Sequence, residues 1–193
     1  MKMLIVGNGV SRLAYRKEIE EFDGDIWIFN NAFKERWLAG IATRWFGEKQ
    51  LIPIAREFKE KNGYKYEIWS NEGGDKRFLA GVRSADSGST AGQQSLMEGF
   101  DVWCVGIDMG GYDIYCPGHE KLNKTIWAFR WKRLMIEYRN KIHWIGEDHT
   151  ENMKQGKFGK YADLYRNGKF HLQDIKSRRA FKQFIKKNIK SVE

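Results

Sequence analysis

The chemistry-bearing residues of this 193-residue chain gather where helices and strands are expected to begin and end. Ser87, Gly88, Ser89 and Thr90 are small or hydroxylic and open a helix that Gly99 closes as a C′ residue. A helix N-terminus carries unpaired N–H groups and a partial positive charge, so it suits a phosphate or carboxylate. Gly88 would let the backbone approach a ligand, and the hydroxyls could either cap the helix or bond the anion. The strand Asp101–Ile107 follows and ends in Gly106-Ile107-Asp108, then Gly110 and Gly111. Ligands of open α/β sheets lie beyond the carboxyl ends of strands, so Asp108, a candidate catalytic carboxylate, and the Ser87 loop should face one crevice. An ordinary αβ unit with a polar helix cap gives the same pattern.

Other strand ends repeat this chemistry. Met3–Val6 is an apolar strand that turns through Gly7-Asn8-Gly9-Val10-Ser11 into a helix at Arg12–Glu21. The turn lacks the third glycine of the dinucleotide fingerprint. Asp25–Phe29 is a second strand ending in Asn30-Asn31, whose amides could bond a base or ribose or cap a turn. Ala42–Phe46 is a third, ending at Gly47. Leu51–Lys61 has helical spacing and stops at Asn62-Gly63, and Tyr64–Trp69 alternates as a strand before Ser70-Asn71. Leu122–Tyr138 is a helix with Trp127, Trp131, Leu134 and Tyr138 along one side, a stripe that fits core packing. Arg130, Lys132, Arg133 and Arg139 lie off it, and Ile142–Ile145 is the last strand. This alternation predicts an α/β fold, a Rossmann-like parallel sheet with helices on both faces, over residues 1–150. Residues 151–193 form a basic extension whose terminal helix carries apolar positions such as Ile175, Phe181, Ile185 and Ile189. That apolar side implies a docked helix.

Composition limits the partners. The chain is 41% hydrophobic and 15% aromatic, which excludes a disordered protein. No apolar run reaches the length of a membrane span, and the first residues do not read as a signal peptide. Cys104 and Cys116, with no CxxC spacing, are expected to be reduced thiols in a cytoplasmic protein. Residues 151–193 hold 12 Lys or Arg against 4 Asp or Glu, a net +8 out of the chain's +9. A polyanion such as nucleic acid, an anionic surface, or simple solvation would each account for that excess. Lys176, Arg178, Arg179, Lys182, Lys186 and Lys187 are the candidate polyanion-binding cations.

The series GNGVS, IFNN, WSN, DSGSTA, GIDMGG and PGHEK resembles the compact bacterial sialyltransferases in order and spacing, from about Met1 to Gly146. Those are single-Rossmann-domain enzymes with a cytidine-monophosphate sugar donor. The resemblance implies that Gly7, Asn8, Gly9 and Ser11 lie by the donor phosphate and that Asn30 and Asn31 meet the nucleoside. It implies that Ser70 and Asn71 line the donor pocket. Ser87, Gly88, Ser89 and Thr90 would receive the nucleotide or the sugar's anionic group. His119 would be the general base, with His149 the alternative. Three departures stand out. Gly47-Glu48 replaces the family's asparagine after the third strand. Gly110 replaces its tyrosine, so that Tyr112 or Tyr115 would have to supply the phosphate contact. Met109–Gly118 is a short loop where the family has a lid.

A histidine with an ordinary pKa of about 6.5 can deprotonate an acceptor hydroxyl near neutral pH. Backbone N–H groups and hydroxyls can steady the departing phosphate. Neither a metal nor a resident cofactor is expected, and the nucleotide sugar is a co-substrate. An open crevice and a basic extension favour a large anionic acceptor, either a nucleic acid carrying a hydroxylated base or an acidic glycan. The competing expectation is a non-catalytic nucleic-acid-binding protein on a degenerate Rossmann core.

Overall fold

The computed structural model describes residues 1–82, 86–107, 113–115, 125–138 and 140–146, without the side chains of 125–129. Six strands form one parallel sheet: β1 (Lys2–Val6), β2 (Asp25–Phe29), β3 (Arg44–Phe46), β4 (Glu67–Trp69), β5 (Asp101–Val105) and β6 (Ile142–Trp144). Their order across the sheet is β4-β3-β2-β1-β5-β6. The helices are α1 (Arg16–Glu20), α2 (Arg36–Ile41), α3 (Ile52–Asn62), α4 (Ser87–Met97) and α5 (Thr125–Glu137). The expected α/β class is therefore what the chain adopts.

Alternate residues of each strand serve opposite layers, as the period of two requires. Met3 and Ile5 of β1 face a layer with Trp27, Trp69, Leu96, Trp131 and Leu134. Leu4 and Val6 face the other, with Ile19, Ile28, Phe33, Trp45 and Tyr66. Both faces are covered, which is why these strands read as nearly continuous apolar runs.

Local outcomes differ from the expected ranges for identifiable reasons. The helix expected over Arg12–Glu21 starts as a 3-10 turn, Val10–Tyr15, and becomes α-helical only at α1. A Cβ at Gly106 would lie 2.9 Å from Arg12 Cβ, so the first turn tightens under the end of β5. Tyr66 leaves the expected strand to donate its hydroxyl to the Ala55 carbonyl at 2.8 Å, and β4 shortens to Glu67–Trp69. Gly63 (φ 70°) and Gly99 (φ 89°) follow α3 and α4 in the left-handed region, as the sequence signals indicate. Trp131 and Leu134 of the α5 stripe are core, with Tyr138 packed against them; the side chain of Trp127 lies outside the description. Cys104 is buried and unbonded, and burial pushes its thiol pKa far up.

The chain leaves β4 at one edge, crosses back and lays β5 beside β1. This reversal puts the topological switch between β1 and β5. The described polar strand ends, at Asn8, Asn30 and Ser70, therefore share one edge of the sheet.

Candidate functional site

The switch point is closed by glycines. A Cβ on Gly7 would sit 2.2 Å from the Gly106 carbonyl oxygen, so the ends of β1 and β5 meet only because both residues lack side chains. Gly7 N–H donates to the Val105 carbonyl and Gly9 N–H to the Gly106 carbonyl, each at 2.8 Å. Those two donors are committed to the fold.

Asn8 sits between them, nine-tenths buried. Its Nδ2 donates to the Phe29 carbonyl at 3.4 Å, and its Oδ1 has no partner. An orphaned acceptor asks for a hydroxyl or N–H, not for a phosphate oxygen. Ser11 is buried just beyond.

Residues 113–115 fold back over this turn. Asp113 pairs with Gly9 as an antiparallel bridge, and Ile114 N–H donates to the Asn8 carbonyl at 2.8 Å. Ile114 is buried. Tyr115 accepts from Arg12 Nη2 at 2.8 Å and packs with the α1–α3 layer, so its hydroxyl is placed on Arg12. Arg12 is itself fully buried and ion-paired to Glu35, whose other oxygen accepts from Trp37 Nε1 at 3.1 Å. The crevice expected to lie open above β1 is thus partly covered by three residues of the chain.

The open space lies further along the same edge. A cleft of about 290 Å³ is bounded by Phe46 and Gly47 after β3, by Ser70, Asn71 and Glu72 after β4, and by Thr90 of α4. Lys49, Phe78 and Val82 complete it. Its size is at the lower end of small-ligand pockets. Gln94 holds the far wall by accepting from Leu79 N–H at 2.8 Å, and Gln93 Nε2 donates to the Gly81 carbonyl at 3.2 Å. Phe46 and Phe78 meet edge to face at 4.8 Å between centroids and form an aromatic floor. Ser70 Oγ closes a local turn with the backbone of Glu72. Lys49 and Glu72 join across the mouth at 2.5 Å, and their hydrogen bond raises the lysine pKa and lowers that of the glutamate.

Asn30 links the two regions. It takes a left-handed backbone (φ 48°), its carbonyl accepts from Trp45 Nε1 at 2.9 Å and its Oδ1 from Glu48 N–H at 3.3 Å. A Cβ at Gly47 would lie 2.5 Å from the Trp45 ring. Asn31, half-buried, follows in the same turn.

The start of α4 is already capped. Asp86 accepts from Ser89 N–H at 2.8 Å and from Ser89 Oγ at 2.5 Å, and its carbonyl accepts from Thr90 Oγ1 at 2.6 Å. Burial raises the Asp86 pKa, while Ser89, Gly88 and the nearby Arg130 charge pull it down. An anion expected at Ser87–Thr90 would meet this carboxylate first. Gly88 serves packing, since its Cβ would lie 3.1 Å from Ile107 Cδ1 and 3.5 Å from the Trp131 ring.

Asp108, Tyr112, His119, His149 and the six extension cations lie outside the described residues. Among the described residues, no three His, Cys, Asp or Glu side chains gather as metal ligands would, and no helix is long and apolar enough to cross a membrane. The sequence reading missed Lys49, Phe78, Glu72 and Asp86. Only Asp86 had a signal, as a good N-cap type placed before the helical run.

No family model matches the chain, and no curated protein matches it in sequence. The fold resembles that of the sialyltransferase CstII. A CstII complex with trisaccharide acceptor and CMP aligns at TM-score 0.54 and 17% identity, over 75% of this chain and 80% of that one. A second, CstII from Campylobacter jejuni with cytidine-5'-monophosphate described as a substrate analogue, aligns at TM-score 0.54 and 14% identity, over 83% and 86%. The likeness implied by motif order is present at the level of the fold. At such identities it is a likeness of fold alone.

Proposed function

We propose that this protein is a glycosyltransferase that binds a nucleotide-sugar donor along the carboxyl edge of its sheet and transfers the sugar to a hydroxyl acceptor. The observation that carries the reading is the cleft beyond β3 and β4, which Thr90 of α4 also lines, on the same sheet edge as Asn8 and Asn30. It stands on a fold shared with CstII, whose solved complexes hold CMP and a trisaccharide acceptor. In the reaction, the acceptor oxygen bonds to the anomeric carbon as that carbon's bond to the phosphate oxygen breaks. The nucleotide leaves with the electron pair, and the acceptor proton passes to a base. His119, placed before α5 in the sequence, is that base, with His149 the second candidate. The net +8 of residues 151–193 favours a large anionic acceptor, a nucleic acid carrying a hydroxylated base or an acidic glycan.

Mass spectrometry of donor hydrolysis and transfer across a nucleotide-sugar panel tests the activity, with calorimetry against CMP and UMP alongside. His119→Ala should lower turnover by ~10²–10⁴-fold and leave donor affinity nearly intact. Wild-type protein that binds no nucleotide at millimolar concentration defeats the reading. Near-normal turnover in His119→Ala transfers the base to His149.

A further inference from the structure

We infer, building on the nucleotide-sugar reading, that the cleft beyond β3 and β4 receives an uncharged, hydroxylated sugar ring and discriminates against an acidic one.

The argument starts from the charges that line it. Among the described residues, Lys49 and Glu72 are the only ionised side chains on the cleft wall, and they are bonded to each other across its mouth. A carboxylate on the sugar would have to displace Glu72 from Lys49 or lie beside it uncompensated. The second positive feature on this side of the sheet, the start of α4, is held by Asp86. The third, Arg12, gives Nη2 to Glu35 and Tyr115 while its buried Nε and Nη1 have no partner, and it is not among the residues that line the cleft. At the first two of these places an internal carboxylate already stands where an anion would bind.

The remaining groups suit a neutral ring. Phe46 and Phe78 offer an apolar floor for the C–H face of a sugar. Asn71 is exposed at the rim beside Glu72, with both donor and acceptor capacity. On the same edge, Asn8 presents a buried acceptor oxygen without a partner, which a sugar or ribose hydroxyl would satisfy and a carboxylate or phosphate oxygen would not.

The test is calorimetric, on the full chain. Bare CMP, UMP, UDP and GDP are compared with UDP-glucose, UDP-glucuronate, GDP-mannose and CMP-N-acetylneuraminate. UDP-glucose and UDP-glucuronate differ by one carboxylate. An uncharged conjugate is expected to bind ~10-fold or more tightly than its bare nucleotide, and an acidic conjugate no more tightly than its own. Glu72→Gln frees the Lys49 charge at an exposed position, so the variant folds. It should improve binding of acidic conjugates about 10-fold relative to the uncharged ones. Failure of every nucleotide and conjugate to bind sinks the glycosyltransferase reading and this inference together. Nucleotide binding with an acidic conjugate preferred in the wild type, or with no gain from any attached sugar, overturns the inference alone. An unchanged preference in Glu72→Gln removes the Lys49–Glu72 pair as its cause.

Discussion

Asp86 stands under two opposing demands. Capping α4 calls for an acceptor that reaches Ser89 N–H, whereas burial penalises the charge that makes it a strong one. Its folded pKa lies above the ordinary value, so the folded protein holds the proton more tightly than the unfolded chain does. That contribution is complete below about pH 3.9, the unfolded value, and is lost as pH rises through the folded value. Asp86→Asn keeps a capping oxygen and removes the buried charge. Its stability relative to wild type should therefore climb as pH rises from 4.5 to 8, by about 1.4 kcal/mol for each unit of pKa shift removed. Urea melts of the two proteins across that range would show it. A difference independent of pH would mean that Asp86 is not raised. At the residue scale the sequence leaves Ser87–Thr90 open between helix cap and anion cradle, and the structure adds that Asp86 caps this helix start. Lys49 and Glu72 carry no signal at all, because only the adjacency of β3 and β4 brings 23 sequence positions together into one ion pair.

The elements depend on close approaches that few residue types allow. The ends of β1 and β5 touch through Gly7 and Gly106, with Gly106 in the left-handed region at φ 66°. A methyl group at position 7 would lie 2.2 Å from backbone that has no flexible end to move, so the strands must part. Gly7→Ala should cost ~1–3 kcal/mol or more, and it should weaken nucleotide binding because Asn8 follows directly. A urea midpoint within error of wild type would show that the strands can shift freely. The element scale was the most legible in the sequence. Strands covered on both faces announce themselves as apolar runs, and Gly63 and Gly99 mark helix ends. What escaped were the short elements. The six residues of α2, with Gly40 inside, are too few and too weak in propensity to stand out, and they are helical because Leu38 and Ala39 are buried against β2.

At the scale of the whole molecule, alternating strands and helices dictate a parallel sheet, but no residue announces that the chain crosses back after β4. The order β4-β3-β2-β1-β5-β6 follows from packing on both faces and not from a local signal. Charge, by contrast, is plain in the sequence: residues 1–150 are close to neutral and residues 151–193 carry +8. If that extension grips a polyanionic acceptor, its affinity comes from phosphate contacts and released counterions, while the sheet edge holds the donor. The two functions should then separate on salt. On duplex DNA, each neutralised phosphate contributes about −0.9 to the slope of log K against log salt. Arg178→Gln combined with Arg179→Gln should flatten that slope by up to about 1.8 and weaken binding at low salt. Nucleotide affinity should stay at the wild-type value. Filter binding from 50 to 300 mM salt, with calorimetry on the nucleotide, measures both arms. Nucleic acid that fails to bind at low salt directs the acceptor search to acidic glycans. A slope unchanged by the double substitution moves the contact to α5, where Lys132 and Arg133 are exposed.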